Sequence, residues 1–277
     1  MSLPPLTLSA WLRYQLIERM LRDLEGLHDV LEVGPGEGAL GARLARRYTY
    51  VGVEPDPRSA AIARRRLERV GSGTLVQGDL SALGPEARFD LLCAFEVIEH
   101  IEDDSGALLE WRDRLRDGGW VLLSTPAHPD RFDAGDRLAG HYRRYERRAL
   151  AALLRSTGFE EVLVWSYGFP LGYVLESVRN MLARRQEPRL GSIAERTAAS
   201  GRYLQPPDGL GWMTRALSVP FRLAQQPFVD TDLGTGLIGR ARRSGTGDVP
   251  IARGDRWADA GSETDAARDD RGDIRRH

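Results

Sequence analysis

Two glutamates and a histidine stand close together in the segment EVIEH at 96–100. The segment follows the apolar run FDLLCAF, which is typical of a buried strand, so it lies where parallel α/β sheets bind ligands. In a helical turn, the i, i+3, i+4 spacing would put Glu96, Glu99 and His100 on one face. Such a group can remove a proton from a hydroxyl, or can bind a divalent cation that lowers the pKa of that hydroxyl.

A glycine-rich loop, LEVGPGEG at 31–38, stands at the turn from the first predicted strand into the first predicted core helix. Glycines there let the backbone approach a ligand closely, and the start of a helix presents unpaired N–H groups. Gly34, Gly36 and Ala39 also fit the dinucleotide pattern G-x-G-x-x-G/A, so an NAD-dependent enzyme is one interpretation.

Three acidic residues at the ends of successive strands favour a different ligand. Glu32 precedes Gly34 by two residues, where a carboxylate can meet the ammonium of a methionine moiety but would repel a pyrophosphate. Glu54 ends the second predicted strand, where it can accept both hydroxyls of a ribose. Asp79 ends the third, in a suitable place to receive an adenine amino group. Together they favour S-adenosylmethionine (SAM).

Short apolar runs alternate with charged helical segments from Val30 onwards, which implies a parallel sheet covered on both faces. The run LGTGLIGRARR predicts a last strand that pairs antiparallel with EVLVWS. We therefore predict an α/β fold with a Rossmann-like, seven-stranded, mostly parallel sheet, helices on both faces and a helical insertion before the last strand.

The same patterns divide the chain into five parts. Apolar residues at helical spacing predict an N-terminal helix within 1–26, with Ser9 as its N-cap. The core would span 27–167, its final strand 230–243, and the helical insertion 168–229. The segment 244–277 has few large apolar residues and is predicted to be disordered.

The insertion is predicted to cap the substrate. One of its helix faces would carry Leu171, Val174, Leu175, Val178 and Leu182. That face would pack against the core, a hydrophobic substrate, a partner chain or a membrane surface. Aromatic side chains nearby could line an acceptor pocket; they are Trp165, Tyr167, Phe169 and Tyr173.

Composition narrows the class of protein. The net charge of −1 argues against a general nucleic-acid binder, and Cys93, the only cysteine, excludes an internal disulfide and a cysteine metal cluster. No apolar run approaches the roughly 18 to 20 residues that span a bilayer. The first twenty residues lack the apolar core of a secretory signal, so we expect a cytoplasmic protein.

In their glycine-rich loop and three acidic residues at strand ends, residues 28–167 resemble class I SAM-dependent methyltransferases. The resemblance implies that Gly34, Gly36 and Gly38 form the loop beneath the cofactor. It implies that Glu32 contacts the methionine end and that Glu54 holds the ribose. Asp79 and Leu80 would border the adenine, and Phe95 with Glu96 would close the methionine side.

The E-x-x-E-H arrangement is similar to that of ubiquinone-biosynthesis O-methyltransferases and small-RNA terminal 2'-O-methyltransferases. Those families use it with a downstream histidine to bind a divalent cation. Here His141, in GHYRRY at 140–145, occupies a comparable position, and His128 is a second candidate. The resemblance implies a site for Mg or another divalent cation at Glu96, Glu99, His100 and His141. Many related enzymes have a Glu-His pair at this position but no metal, so His100 could instead act as a base or orient a loop.

The GHYRRYERRAL stretch also resembles a segment of bacterial small-molecule methyltransferases, in which Tyr142 and Tyr145 could pack over a substrate. Arg143 or Arg144 could pair with an acidic group on that substrate, or could lie on a solvated surface. The expected function is O-methylation of a small-molecule, lipid or glycosidic acceptor, with N- or C-methylation still open. An RNA 2'-O-methyltransferase, a SAM-binding protein without activity and a nicotinamide dehydrogenase are the alternatives.

Overall fold

The computed structural model describes residues 3–185 and 211–245. Over those residues, helices and strands alternate along most of the chain. Their bounds are α1 (Leu8–Arg22), β1 (Asp29–Val33), α2 (Gly41–Leu44), β2 (Thr49–Glu54), α3 (Pro57–Val70), β3 (Thr74–Gln77), β4 (Phe89–Phe95), α4 (Asp104–Asp113), β5 (Leu115–Pro126), α5 (Ala134–Ala139), α6 (Arg147–Ser156), β6 (Phe159–Tyr167), α7 (Leu171–Arg184), α8 (Gly211–Ala224) and β7 (Gly236–Arg243).

The seven strands of the described residues form one sheet in the order β3-β2-β1-β4-β5-β7-β6. The first five strands in that order are parallel, and β7 is antiparallel to both of its neighbours. Ile238 of β7 lies opposite Ser124 of β5 on one side and Trp165 of β6 on the other. The prediction of a mostly parallel, seven-stranded sheet is therefore confirmed, and the carboxyl ends of β1 to β5 meet at one edge.

Two apolar clusters cover the sheet, one on each face, because successive residues of a strand point to opposite sides. In β4, Leu91 and Cys93 join α1 and α3, whereas Leu92 and Ala94 join α4 and α6. All four side chains are fully buried. The sheet is thus covered by helices on both faces, as the sequence predicted.

The N-terminal helix α1 begins earlier than the sequence predicted. Thr7, not Ser9, is its N-cap: the backbone of Thr7 is extended, and its hydroxyl oxygen accepts a hydrogen bond from the Ala10 amide at 3.1 Å. Ser9 lies inside the first turn. Gln225 holds the helix against the end of α8, since its side-chain amide donates to the Leu12 carbonyl at 3.0 Å. The helix is therefore an integral part of the fold.

The predicted insertion contains α7 and α8. Residues 186–210 lie outside the described residues, and so do residues 246–277 of the predicted disordered tail. Within the described ranges, none of the helices is long and apolar enough to cross a membrane.

Candidate active site

A large cavity opens at the carboxyl edge of the sheet, between the strand ends, the segment that leads into α1, and α7. Its volume is about 1740 Å³. A site for a single small ligand usually has roughly 300 to 1,000 Å³, so this cavity has room for a cofactor and an acceptor together. The cavity is lined by many of the residues singled out in the sequence, namely Glu32, Gly34, Gly36, Glu54, Asp79, Leu80, Phe95, Glu96, His100 and His141.

The glycine loop needs its glycines for two reasons. Gly34, Gly36 and Gly38 all have positive φ, at 65°, 56° and 74°, a backbone conformation that other residues rarely adopt. A Cβ added at Gly38 would also stand 2.8 Å from the Cβ of Ala63 in α3. Gly38 therefore permits close packing of the loop against α3, whereas Gly34 and Gly36 line the cavity.

Glu54 connects the end of β2 to this loop. Its two carboxylate oxygens accept hydrogen bonds from the Gly36 amide at 2.8 Å and the Asp56 amide at 3.0 Å. Burial raises the pKa of Glu54, although these two amides oppose the shift. Each carboxylate oxygen can accept more than one hydrogen bond, so the group remains able to accept from two neighbouring hydroxyls.

Glu32 is buried at the end of β1, with 2% of its surface exposed. Its Oε2 accepts a hydrogen bond from the Tyr50 hydroxyl at 2.6 Å. Burial raises the pKa of Glu32 to about 7, even though the Tyr50 hydroxyl and the charge of Arg13 both act to lower it. The carboxyl group is therefore partly protonated near neutral pH.

Asp79 and Leu80 follow β3 at the far side of the cavity. Asp79 is the N-cap of the 3-10 helix Leu80–Ala82, and its Oδ1 accepts hydrogen bonds from the amide and the hydroxyl of Ser81. These hydrogen bonds hold the pKa of Asp79 below its usual value. Leu80 is buried and lines the cavity.

Glu96 does not share a face with Glu99 and His100, so the expectation of a common helical face is wrong. Its backbone has φ +58°, and the 3-10 helix Ile98–His100 begins only after it. Its Oε1 lies 3.0 Å from a guanidinium nitrogen of Arg13 and accepts a hydrogen bond from the Tyr167 hydroxyl at 3.1 Å. Burial is the largest single effect and favours the neutral acid, but the charge of Arg13 and the hydrogen bonds from Ser124 and Tyr167 act together against it, and the net effect lowers the pKa of Glu96.

Glu99, His100 and His141 do come together. Each offers one potential ligand atom, and these atoms all lie within 4.8 Å of one another. The two imidazole rings meet edge to face with their centroids 4.6 Å apart. Glu99 lies behind them, fully buried, and neither of its carboxylate oxygens has a hydrogen-bond partner among the described residues.

Burial controls the charge of this cluster. It raises the pKa of Glu99 well above its usual value, with a further contribution from the charge of Glu96. It lowers the pKa of His100 to about 4, and His141 acts in the same direction. At neutral pH the protein therefore holds an uncharged His100 beside a carboxyl group whose protonated form burial favours.

Asp136 is a residue that the sequence analysis missed. It lies in α5, fully buried, and one of its oxygens is 2.8 Å from Nδ1 of His141. Its five-residue spacing from His141, across the end of α5, is the signal that could have identified it. His128, the second candidate histidine, lies elsewhere: its Nε2 is 2.8 Å from the Gly234 carbonyl.

The two arginines of the GHYRRY segment are bound within the protein. Arg144 is buried and pairs with Asp136 at 2.6 Å, so the expectation that it lies on a solvated surface is wrong. Arg143 pairs with Asp104 at 2.9 Å, and the Tyr145 hydroxyl donates to the same carboxylate at 2.8 Å. These contacts use the guanidinium and phenol groups to fix the loop. Tyr142 remains exposed at the cavity.

The aromatic residues predicted to line an acceptor pocket also differ in their surroundings, because some face the cavity and others pack within the protein. Tyr167 lines the cavity and bonds Glu96. Trp165 is buried beneath the guanidinium of Arg19, and Phe169 packs against Tyr173 and Phe228. Most of the group therefore contributes to packing.

Comparison with known proteins identifies the family. A model described as "Methyltransferase domain" matches residues 10–164, more than half of the chain. A protein of Mycolicibacterium smegmatis described as a probable S-adenosylmethionine-dependent methyltransferase is 34% identical over 154 residues, which cover 53% of this chain and 58% of that relative. A ubiquinone biosynthesis O-methyltransferase of Leptothrix cholodnii is 33% identical over 119 residues, which cover 41% and 50% of the two chains.

Among solved structures, phosphoethanolamine N-methyltransferase 2 of Haemonchus contortus in complex with S-adenosyl-L-methionine has the same fold, with a TM-score of 0.53 at 15% identity. The match covers 83% of this chain and 53% of that one. The chain thus spans about half the length of the relatives that it matches. It belongs to the methyltransferase domain family, and the domain that it carries is a class I SAM-dependent methyltransferase domain.

Proposed function

We propose that this protein O-methylates a hydroxyl group of a small-molecule, lipid or glycosidic acceptor. The observation that carries the proposal is the buried Glu99 carboxyl group, without a hydrogen-bond partner among the described residues, beside His100 and His141. An unpaired buried carboxylate is costly unless a proton or a cation satisfies it. A hydroxyl acceptor needs such a group, because it must lose its proton during the reaction.

SAM, when bound, supplies a methyl group on a sulfonium that a hydroxyl oxygen can attack. We assign Glu54 to the ribose and Asp79 with Leu80 to the adenine. Glu32 would take the ammonium of the methionine moiety. Support comes from the three strand ends, which place these acidic residues around one cavity above the glycine loop.

Arg13 would hold the carboxylate of the same methionine moiety. Its guanidinium lines the cavity, close enough to Glu32 to lower the pKa of that group. Its Nε has no partner among the described residues, although its Nη1 pairs with Glu96. An ammonium at Glu32 and a carboxylate at Arg13 would satisfy both charges of an amino acid.

The donor set of Glu99, His100 and His141 fits a divalent cation. One carboxylate and two neutral imidazoles suit manganese and other transition ions better than magnesium, which prefers oxygen ligands. A bound cation would lower the pKa of the acceptor hydroxyl. Because Glu96 bonds Arg13, Ser124 and Tyr167, it is not part of the proposed ligand set.

The decisive test is a methyl-transfer screen over phenolic, glycosidic and isoprenoid acceptors, with Mn²⁺ or with EDTA. We expect a methyl ether product whose formation EDTA abolishes. Glu99→Gln should reduce turnover by about 10²- to 10⁴-fold, the usual contribution of proton removal to such a reaction, because the cation that promotes proton loss would lose its carboxylate ligand. Glu102→Gln, an exposed change three residues away, is the matched control. Turnover unaffected by EDTA would refute the cation, and methylation of nitrogen or carbon alone would refute O-methylation.

A further inference from the structure

A chain of buried charges joins the insertion helix α7 to His141. Asp136, Arg144 and Glu176 expose 0%, 4% and 8% of their surfaces. Arg144 pairs with Asp136 at 2.6 Å and with Oε1 of Glu176, on α7, at 2.6 Å. Buried ion pairs of this kind contribute little net stability compared with apolar packing. Such a network can instead fix the orientation of the groups that it contacts.

The network fixes the chemistry of one imidazole. Arg144 donates to both oxygens of Asp136, from Nε at 3.0 Å and from Nη2 at 2.6 Å, so Asp136 is held as a carboxylate. A carboxylate can only accept, so the 2.8 Å contact requires that Nδ1 of His141 carries the proton. In the neutral ring Nε2 then has its lone pair free for a cation or a proton.

Glu176 is the third member of this network. It lies in the middle of α7, and its Oε2 accepts a hydrogen bond from Arg131 at 2.8 Å. Its neighbours on the same helix, Leu175 and Arg179, line the cavity. The helix that forms a wall of the cavity is therefore connected to His141 through two buried ion pairs.

We infer that Glu176 is a positioning residue for His141, acting through Arg144 and Asp136, so that the placement of α7 controls the imidazole. The inference rests on the proposed function for the use of His141, but the imidazole tautomer is measurable without it. Partners that orient a ligand histidine typically change metal affinity by about 10- to 100-fold when they are altered.

The test is long-range ¹H–¹⁵N NMR of the full chain without metal, with the His141 signals assigned by their loss in His141→Gln. Wild type should show a single tautomer with the proton on Nδ1. Glu176→Gln should give averaged nitrogen shifts from a mobile ring. It should also weaken Mn²⁺ binding, followed by electron paramagnetic resonance, by about 10-fold. The affinity for S-adenosylhomocysteine (SAH) should stay within about twofold of wild type, because the ion pairs of Glu176 are with Arg131 and Arg144, which are not among the residues assigned to the cofactor.

Arg184→Gln is the matched control, because it removes an exposed ion pair between α7 and Asp133. It should leave both readouts as in wild type. If Glu176→Gln does not fold, Glu176→Asp keeps the charge and should shift both readouts in the same direction by less. A Glu176 variant whose His141 shifts match those of Arg184→Gln overturns the inference. If wild type itself fails to bind Mn²⁺, the proposed cation fails, and the NMR result still decides the inference.

Discussion

At the scale of single residues, burial sets the protonation of the site. Glu32 has a pKa of about 7 because the protein removes it from water, and the Tyr50 hydroxyl only partly compensates. A ligand ammonium beside it would favour the ionised form. Ligand binding should therefore be coupled to the loss of a proton.

We expect SAH to bind with release of a proton from Glu32 at pH 6.5, where about three quarters of this group would be protonated for a pKa of about 7. Titration calorimetry in phosphate and in Tris measures the release, since the two buffers differ in ionisation enthalpy. Glu32→Gln should remove it. The analogue methylthioadenosine lacks the amino acid, so its binding should release no proton from wild type. Equal heats for SAH in both buffers would contradict the assignment.

Arg13 gives a second prediction at this scale. Arg13→Met should weaken SAH binding by about 10-fold or more, since a charge-assisted hydrogen bond contributes roughly 1.5 to 3 kcal/mol. Binding of methylthioadenosine should stay within about twofold, because that ligand has no carboxylate. The double variant Arg13→Met, Glu96→Gln tests whether an unpaired Glu96 causes the loss. Equal losses for both ligands would show that Arg13 only supports the fold.

At the scale of elements, the glycine loop and α3 form one unit. Gly38 and Gly71 both have positive φ, at 74° and 78°. A Cβ at Gly38 would meet Ala63 at 2.8 Å, whereas a Cβ at Gly71 would meet nothing within 4 Å. Comparison of alanine substitutions at Gly38 and Gly71 therefore separates the cost of backbone strain from the cost of a steric clash.

We expect Gly71→Ala to lower the free energy of unfolding by about 1 to 2 kcal/mol, the cost of a left-handed conformation for a residue with a Cβ. Gly38→Ala should cost about 1 to 3 kcal/mol more, because the added methyl group overpacks the contact with α3. It should also weaken SAH binding, whereas Gly71→Ala should not. Urea unfolding and calorimetry measure the two effects. Equal losses of stability in the two variants would contradict the clash.

The sequence predicts these elements well where the information is local. Alternating apolar runs identify the sheet, and the loop pattern identifies the turn from β1 to α2, because both depend on residues close together in the chain. The side chain of Glu96 was misplaced because its partner, Arg13, lies 83 positions away and no local pattern joins them. Arg144 looked solvated for the same reason, since its partner Glu176 belongs to α7.

At the scale of the whole molecule, α1 and α7 both contribute to the cavity, although neither belongs to the alternating strands and helices of the core. Arg13 enters from α1, and Glu176 connects to His141 from α7. Segments added around a common fold therefore supply charges that the sheet edge lacks. This division agrees with the general rule that loops and additions on a fold determine its chemistry.

The free energy of unfolding should depend on pH because Glu32 is buried. The pKa of Glu32 is about 7 in the folded state and 4.5 for the unperturbed group, so the folded state binds more protons between these values. Its contribution to stability is fully present below pH 4.5 and is lost as the pH rises through about 7. Glu32→Gln should therefore gain stability relative to wild type between pH 5 and pH 8.

Urea unfolding at both pH values measures that difference, and the exposed change Glu68→Gln on α3 is the control. The difference in the free energy of unfolding between Glu68→Gln and wild type should stay the same from pH 5 to pH 8. A gap between wild type and Glu32→Gln that stays constant from pH 5 to pH 8 would contradict the raised pKa.

The most direct test of the account is calorimetric titration of the full chain with SAH and, separately, with NAD⁺. The cavity with Glu32, Glu54 and the glycine loop predicts saturable one-to-one binding of SAH, a large loss of affinity in Glu54→Ala, and no heat of binding with NAD⁺. Binding of NAD⁺ in place of SAH, or SAH binding that Glu54→Ala leaves unchanged, would contradict it.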